Sequence, residues 1–202
     1  MLIDLTLRNF AESVAAKTST PGGGSVSAYA AALGASLGIM AARYSEGAAA
    51  AEAAQALEGL KDRFIGLVDR DTEAYSKVSS AYGLPKKTDE EKAKRRATIQ
   101  AALVEAAEVP LQAMRSSVEA LEALTRLSPI CNRNLSSDLA GAMLLLKAGL
   151  EGCSWNVRIN AAGVTDSTRR SSLEVECGEL LTKGRRHAET VMLDAGRLAG
   201  KS

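Results

Sequence analysis

The stretch F-I-G-L-V-D-R-D-T-E-A-Y-S-K-V, residues 64–78, holds an acid where hydrocarbon is due. At helical spacing its apolar line runs Leu60, Phe64, Leu67, Tyr75, Val78 and Tyr82, and Asp71 fills the vacant place in that line. A carboxylate on such a face has two uses. It pairs with an arginine inside a helical interface, or it waits in an apolar groove for a proton or a cationic ligand. A second feature, P-G-G-G-S, sets Gly22, Gly23 and Gly24 ahead of Ser25. It is either a flexible connection between helices or a bare-backbone turn whose amides face an anion or a polar carbonyl. A third group is rich in amides: Asn132 and Asn134 precede Asp138, and Asn156 and Asn160 follow on the next helix. Amides there grip the edge of a heterocycle or bridge subunits. Asp138 begins a helix, so complementation of the helix dipole also accounts for it.

Other chemistries lack their parts. The sole histidine, His187, lies in K-G-R-R-H and reads as a solvated helix residue. There is no H-E-x-x-H, no carboxylate–histidine cluster and no C-x-x-C, so no metal site is expected. Neither a Walker loop nor a G-x-S-x-G elbow occurs. Proton transfer therefore falls to carboxylates or a lysine. No basic stripe with interleaved aromatics points to nucleic acid.

These residues need elements to hold them. Thr6 caps a first helix with an apolar face of Leu7, Phe10 and Val14, and K-T-S-T-P-G-G-G ends it. Ser25 is expected to cap the second helix. Its seam would be Val26, Tyr29, Leu33, Leu37, Met40 and Tyr44, with Ala30, Gly34 and Gly38 on another face that lets a backbone approach closely. A third helix spans about 48–82. The capping box Thr88–Glu91 starts the fourth, in which Pro110 marks a kink or a new first turn. A fifth begins near Ser136 or Ser137 and runs to about Gly163. Its seam is Leu139, Met143, Leu146, Leu150, Cys153 and Val157. The last starts near Thr165–Asp166.

The chain has 202 residues, which suits one helical domain over 1–202, and 46% of them are hydrophobic while only 3% are aromatic. The core is thus built from Ala, Leu, Val and Ile, in long runs of strong helix formers. The fold expected is all-α, an antiparallel up-and-down bundle of long helices. Helices so rich in Ala and Gly bury little bulk alone, so two subunits are expected to share a core as a homodimer. Three scattered cysteines, acid and base early in the N-terminus and no strongly apolar run of membrane-spanning length favour a cytoplasmic protein.

T-P-G-G-G-S-V-S-A, followed by a small-residue helix, resembles the cyclodeaminase branch of the formiminotransferase-cyclodeaminase family. The segments D-T-E-A-Y at 71–75, N-R-N-L-S-S-D-L-A-G-A at 132–142 and N-V-R-I-N at 156–160 extend the resemblance over nearly the whole chain. The linker A-Y-G-L-P-K-K-T-D-E-E-K is similar to that of stand-alone methenyltetrahydrofolate cyclohydrolases in the family. The resemblance implies an all-α homodimer that acts on a tetrahydrofolate derivative as substrate, without a metal or prosthetic group. It maps a glycine loop onto Gly22, Gly23, Gly24 and Ser25, and an acidic helix position onto Asp71, with Tyr75 in the same segment. It maps an amide–acid segment onto Asn132, Asn134 and Asp138, and a later amide helix onto Asn156 and Asn160. Two departures stand out. Cys131 replaces a glycine, and R-Y-S-E-G-A-A-A after the second helix lacks a lysine-rich stretch for the folate tail, leaving Arg43 as a partial substitute.

The reaction this implies is hydrolysis of 5,10-methenyltetrahydrofolate to 10-formyltetrahydrofolate. Asp71 would attract the cation and take a proton from water, Asp138 would position water or the pterin, and amides near Ser25 would steady the developing oxyanion. Formimidoyltetrahydrofolate cyclodeamination, with release of ammonia, is the nearest alternative. A non-catalytic dimer that binds folate or a protein is a third.

Overall fold

A computed structural model describes residues 1–200. Among the described residues there are six α-helices and no strand: α1 (Leu7–Ala15), α2 (Gly23–Arg43), α3 (Ala48–Tyr82), α4 (Asp89–Leu127), α5 (Ser136–Ala161) and α6 (Ser167–Ala199). The starts follow local chemistry. Thr6 accepts from the Asn9 amide, Thr88 and Glu91 close a reciprocal capping box, and Asp166 accepts from the Arg169 amide. Sequential helices run antiparallel, as cross-links along each pair record: Arg43 to Glu58 for α2 and α3, Lys77 to Glu105 for α3 and α4, and Arg185 to Glu151 for α5 and α6. The bundle core is the predicted mix, with Leu57, Phe64, Leu111, Met114, Leu121, Leu124, Leu146 and Leu150 fully buried among alanines.

Two expectations about α2 are corrected. The helix starts at Gly23 with Gly22 as its N-cap, so Ser25 is not the cap. Its buried hydroxyl turns across to Asp71 on α3 instead. The large residues expected as the seam lie on the outer side: Val26, Leu33 and Tyr44 are exposed, and Tyr29, Leu37 and Met40 are half-buried. The packed face is the small one, Ala28, Ala31, Ala32, Gly34, Ala35 and Gly38 with Ile39. Backbone approach decides this. A Cβ on Gly34 would come 2.8 Å from the Ala142 carbonyl and the Leu146 amide, and one on Gly149 would come 2.8 Å from the Ser27 carbonyl. α2 and α5 therefore cross at a distance that bulkier side chains would forbid. By length and composition α2 could span a membrane, but 56% of that stretch is buried within the bundle.

Pro110 neither ends α4 nor starts a new helix. A proline cannot donate to the carbonyl four residues back, which here is that of Ala106. The Asn160 side-chain amide donates to that oxygen at 2.9 Å. A side chain from α5 thus supplies the donor that proline removes.

Candidate active site

α2 ends short of its neighbours, and its N-terminus meets α3 and α5. Asp71 lies on α3, half-buried, one turn past the buried Leu67. Ser25, fully buried, donates its hydroxyl to Asp71 Oδ2 at 2.9 Å. Gly24 leaves room for that carboxylate: a Cβ there would stand 2.5 Å from Asp71 Cγ and 2.7 Å from Oδ2. This is a close approach that only glycine allows. Gly23 faces α5, where its Cβ would meet Asn156 Nδ2 at an ordinary 3.5 Å.

Among the described residues, Asp71 is in no ion pair, and its hydrogen-bond partner is Ser25. Burial raises its pKa above the ordinary 3.8, against the opposing pull of hydrogen bonds from the Ser25 hydroxyl and backbone. The first intrahelical bond of α2 runs from the Val26 amide to the Gly22 carbonyl. The amides of Gly23 and Gly24 are therefore left over at the positive end of the helix. Under the site, the buried Cys153 thiol of α5 has its pKa raised, chiefly by burial and further by the charge on Asp71. Among the described residues, the arrangement is a carboxylate without an ion-pair partner, set beside helix-end amides that make no intrahelical bond.

The other residues singled out in the sequence divide into two sets. Asn156 is at this site. Its Nδ2 bonds the Gly152 carbonyl at 3.0 Å, and no bond to its Oδ1 is found among the described residues. Tyr75 stands one turn beyond Asp71 on α3 with 43% of its surface exposed. Asn160 is one turn beyond Asn156, but its amide is committed to the Ala106 carbonyl. Asn132, Asn134 and Asp138 lie at the opposite end of α2. Asn132 donates to the Tyr44 carbonyl at 3.0 Å, takes the Asn134 amide on its Oδ1 at 3.0 Å, and its own amide bonds Ser45 at 2.8 Å. The 21 residues of α2 put about 30 Å between the two sets. The fold of the chain does not bring them together.

Cys131 is buried, its thiol pKa raised chiefly by burial and further by Asp138. Arg43 is engaged by Glu58 at 2.7 Å. His187 is not the solvated residue its flanking charges suggest: it is half-buried, with Nδ1 3.1 Å from Thr125 Oγ1, and burial lowers its pKa. It falls on the face of α6 that packs on α4, beside Gly184 and Ala188. Among the described residues, no group of three or more His, Cys, Asp or Glu side chains is placed to hold a metal.

The sequence model of the formiminotransferase-cyclodeaminase family matches residues 6–179. A methenyltetrahydrofolate cyclohydrolase of Methylorubrum extorquens is 38% identical over 169 residues, which cover 80% of this chain and 81% of that protein. The mouse formimidoyltransferase-cyclodeaminase is 31% identical over 199 residues, 95% of this chain but 37% of that longer protein. Among solved structures, a formiminotetrahydrofolate cyclodeaminase from Thermotoga maritima superposes with a TM-score of 0.86 at 27% identity, covering 98% of each chain.

Proposed function

The chain belongs to the formiminotransferase-cyclodeaminase family, and on that footing we propose that it is a folate one-carbon enzyme that hydrolyses 5,10-methenyltetrahydrofolate to 10-formyltetrahydrofolate. The observation that carries this reading is the half-buried carboxylate of Asp71, in no ion pair among the described residues and held by Ser25 beside the first amides of α2. The methenyl carbon of the substrate bears a delocalised positive charge between two ring nitrogens. Asp71 draws that charge toward the N-terminal end of α2 and accepts a proton from the attacking water. The oxygen adds to the carbon, giving a tetrahedral centre with one hydroxyl. That hydroxyl loses its proton as the carbonyl forms, the bond from carbon to N5 breaks, and N5 takes up a proton. The sum is one water consumed and one proton released. The Gly23 and Gly24 amides would offer donors to negative charge on that oxygen, and the Oδ1 of Asn156 would offer an acceptor to a ring N–H.

The 30 Å separation of the two residue sets supports a two-fold homodimer across the α2/α5 face. That face is apolar and exposed: Leu33 is 42%, Leu144 52%, Trp155 69% and Ile159 74% accessible. α2 carries no charge between Lys17 and Arg43. Two copies of α2 crossing antiparallel near Leu33 would set the Asp71 end of one subunit against the Asn134–Asp138 end of the other. Each site would then be completed by a second copy.

Cyclodeamination is the second reading, favoured by the likeness to the Thermotoga enzyme over 98% of the chain. There N10 attacks the formimino carbon and ammonia leaves. Purified protein should bleach methenyl absorbance faster than buffer alone and release no ammonia from 5-formimidoyltetrahydrofolate. Ammonia release with rising methenyl absorbance overturns hydrolysis in favour of cyclodeamination. Turnover of neither substrate, with folate still bound, makes the protein a binder.

A further inference from the structure

Threonines inside the helices of this protein mostly turn their hydroxyls back onto their own helix. Thr98, Thr125, Thr182 and Thr190 each donate to the carbonyl four residues before. Thr72 does not. Its Oγ1 reaches across to α2 and lies 3.3 Å from Ser25 Oγ, its sole hydrogen-bond partner among the described residues. The direction of that bond follows from valence. An ionised carboxylate can only accept, so the Ser25 proton goes to Asp71 Oδ2 at 2.9 Å. Thr72 is then the donor to Ser25. Ser25 is fully buried, so no solvent molecule stands ready to replace that donor.

We propose that Thr72 is a positioning residue for the reaction assigned above: its hydroxyl holds the Ser25 rotor toward Asp71, so that the carboxylate meets water charged and correctly aimed. The inference rests on the reading of Asp71 as the base. Two properties of threonine suit the task. The β-branch restricts χ1, and a hydroxyl that receives one hydrogen bond gives a stronger one in turn. Other groups near Asp71 do not supply the same hold. On α3, Asp69 accepts from the Leu2 amide and Arg70 donates to Gln112; Glu73, also near in sequence, is exposed. The acids on α4 are engaged elsewhere: Glu105 is paired with Lys77, and Glu108 with Arg115 and Arg169. α2 brings no charge before Arg43 at its far end, and α5 brings the neutral Cys153 thiol.

Thr72→Val keeps the shape and removes the hydroxyl, and Thr72→Ser keeps the hydroxyl. In the valine variant kcat should fall about tenfold with KM within twofold, and the acid limb of the pH profile should move up by about half a unit. The serine variant should stay within twofold throughout. A second readout needs no turnover: ¹³C carboxyl titration of the free protein, with the Asp71 signal identified by its loss in Asp71→Asn. The same upward shift is expected in the valine variant alone. If the valine variant titrates and turns over like the parent, the proposal is overturned. It is also overturned if both variants lose activity only in step with a lowered melting temperature. A parent protein that turns over no folate refutes the function reading instead, while the carboxyl titration still decides what Thr72 does.

Discussion

Gly24→Ala puts the geometry of the site under the most local strain. The new Cβ would meet Asp71 Cγ at 2.5 Å and Oδ2 at 2.7 Å, with Oδ1 closer still. Ordinary contact between such atoms needs about 3.4 Å, so the carboxylate must retreat by about 1 Å. It cannot do so and keep the 2.9 Å bond to Ser25. Displacement of a reacting group by about 1 Å costs on the order of a hundredfold in rate. Stability moves less. Loss of a hydrogen bond to a charged group costs about 1.5–3 kcal/mol, and alanine returns about 1 kcal/mol of helix propensity over glycine. The net is a fold weaker by about 0.5–2 kcal/mol. Gly23→Ala is the control, because its Cβ meets Asn156 at an unstrained 3.5 Å. It should keep activity within a few-fold. Methenyl bleaching gives kcat/KM, and urea titration gives stability. Equal activity in the two variants would refute the claim that Gly24 exists to admit Asp71.

The remaining expectations concern the scaffold. Asn160→Ala orphans the buried Ala106 carbonyl and should cost about 1–3 kcal/mol by urea denaturation. In a Pro110→Ala background the restored backbone N–H takes that carbonyl, so the cost should shrink to a few tenths. Undiminished loss there would deny the link between the two residues. Leu33→Glu places a charge at the centre of the proposed dimer face. It should halve the mass seen by light scattering and abolish turnover while helicity is retained, whereas a mass equal to the parent's would place the interface elsewhere.

What could be read from the chain alone was what local chemistry specifies. The capping box at Thr88–Glu91, the span of α3 and the buried seam of α5 follow from residues within one or two turns of each other. Asp71 was legible for the same reason, as a gap in an apolar stripe. The orientation of α2 was not. With no charge on any side between Lys17 and Arg43, polarity gives no direction, and close backbone packing at Gly34 and Gly149 prevailed over side-chain bulk. Ser25 looked like a cap because its partner is 46 residues away. The structural role of Asn160 was not legible either, because the carbonyl it satisfies, freed by Pro110, lies 54 residues away. The split of the amides between two ends of α2 is likewise a fact of three dimensions. Asn132 and Asn156 share composition but not location.

The most direct test of the account is the rate of 5,10-methenyltetrahydrofolate hydrolysis by Asp71→Asn across pH. A positioned base contributes about a hundredfold to ten-thousandfold, so kcat should drop by about two orders of magnitude or more. The parent should lose activity in acid with a midpoint above the ordinary aspartate value of 3.8, because burial raises the pKa of Asp71. The same shift fixes the sign of the stability control. An acid whose folded pKa is raised weakens the fold when ionised, above that pKa, and does not when protonated, below its unfolded value. Asp71→Asn should therefore fold at least as stably as the parent at neutral pH, and that margin should vanish in acid. A variant that hydrolyses the substrate at the parental rate would contradict the assignment of Asp71 outright.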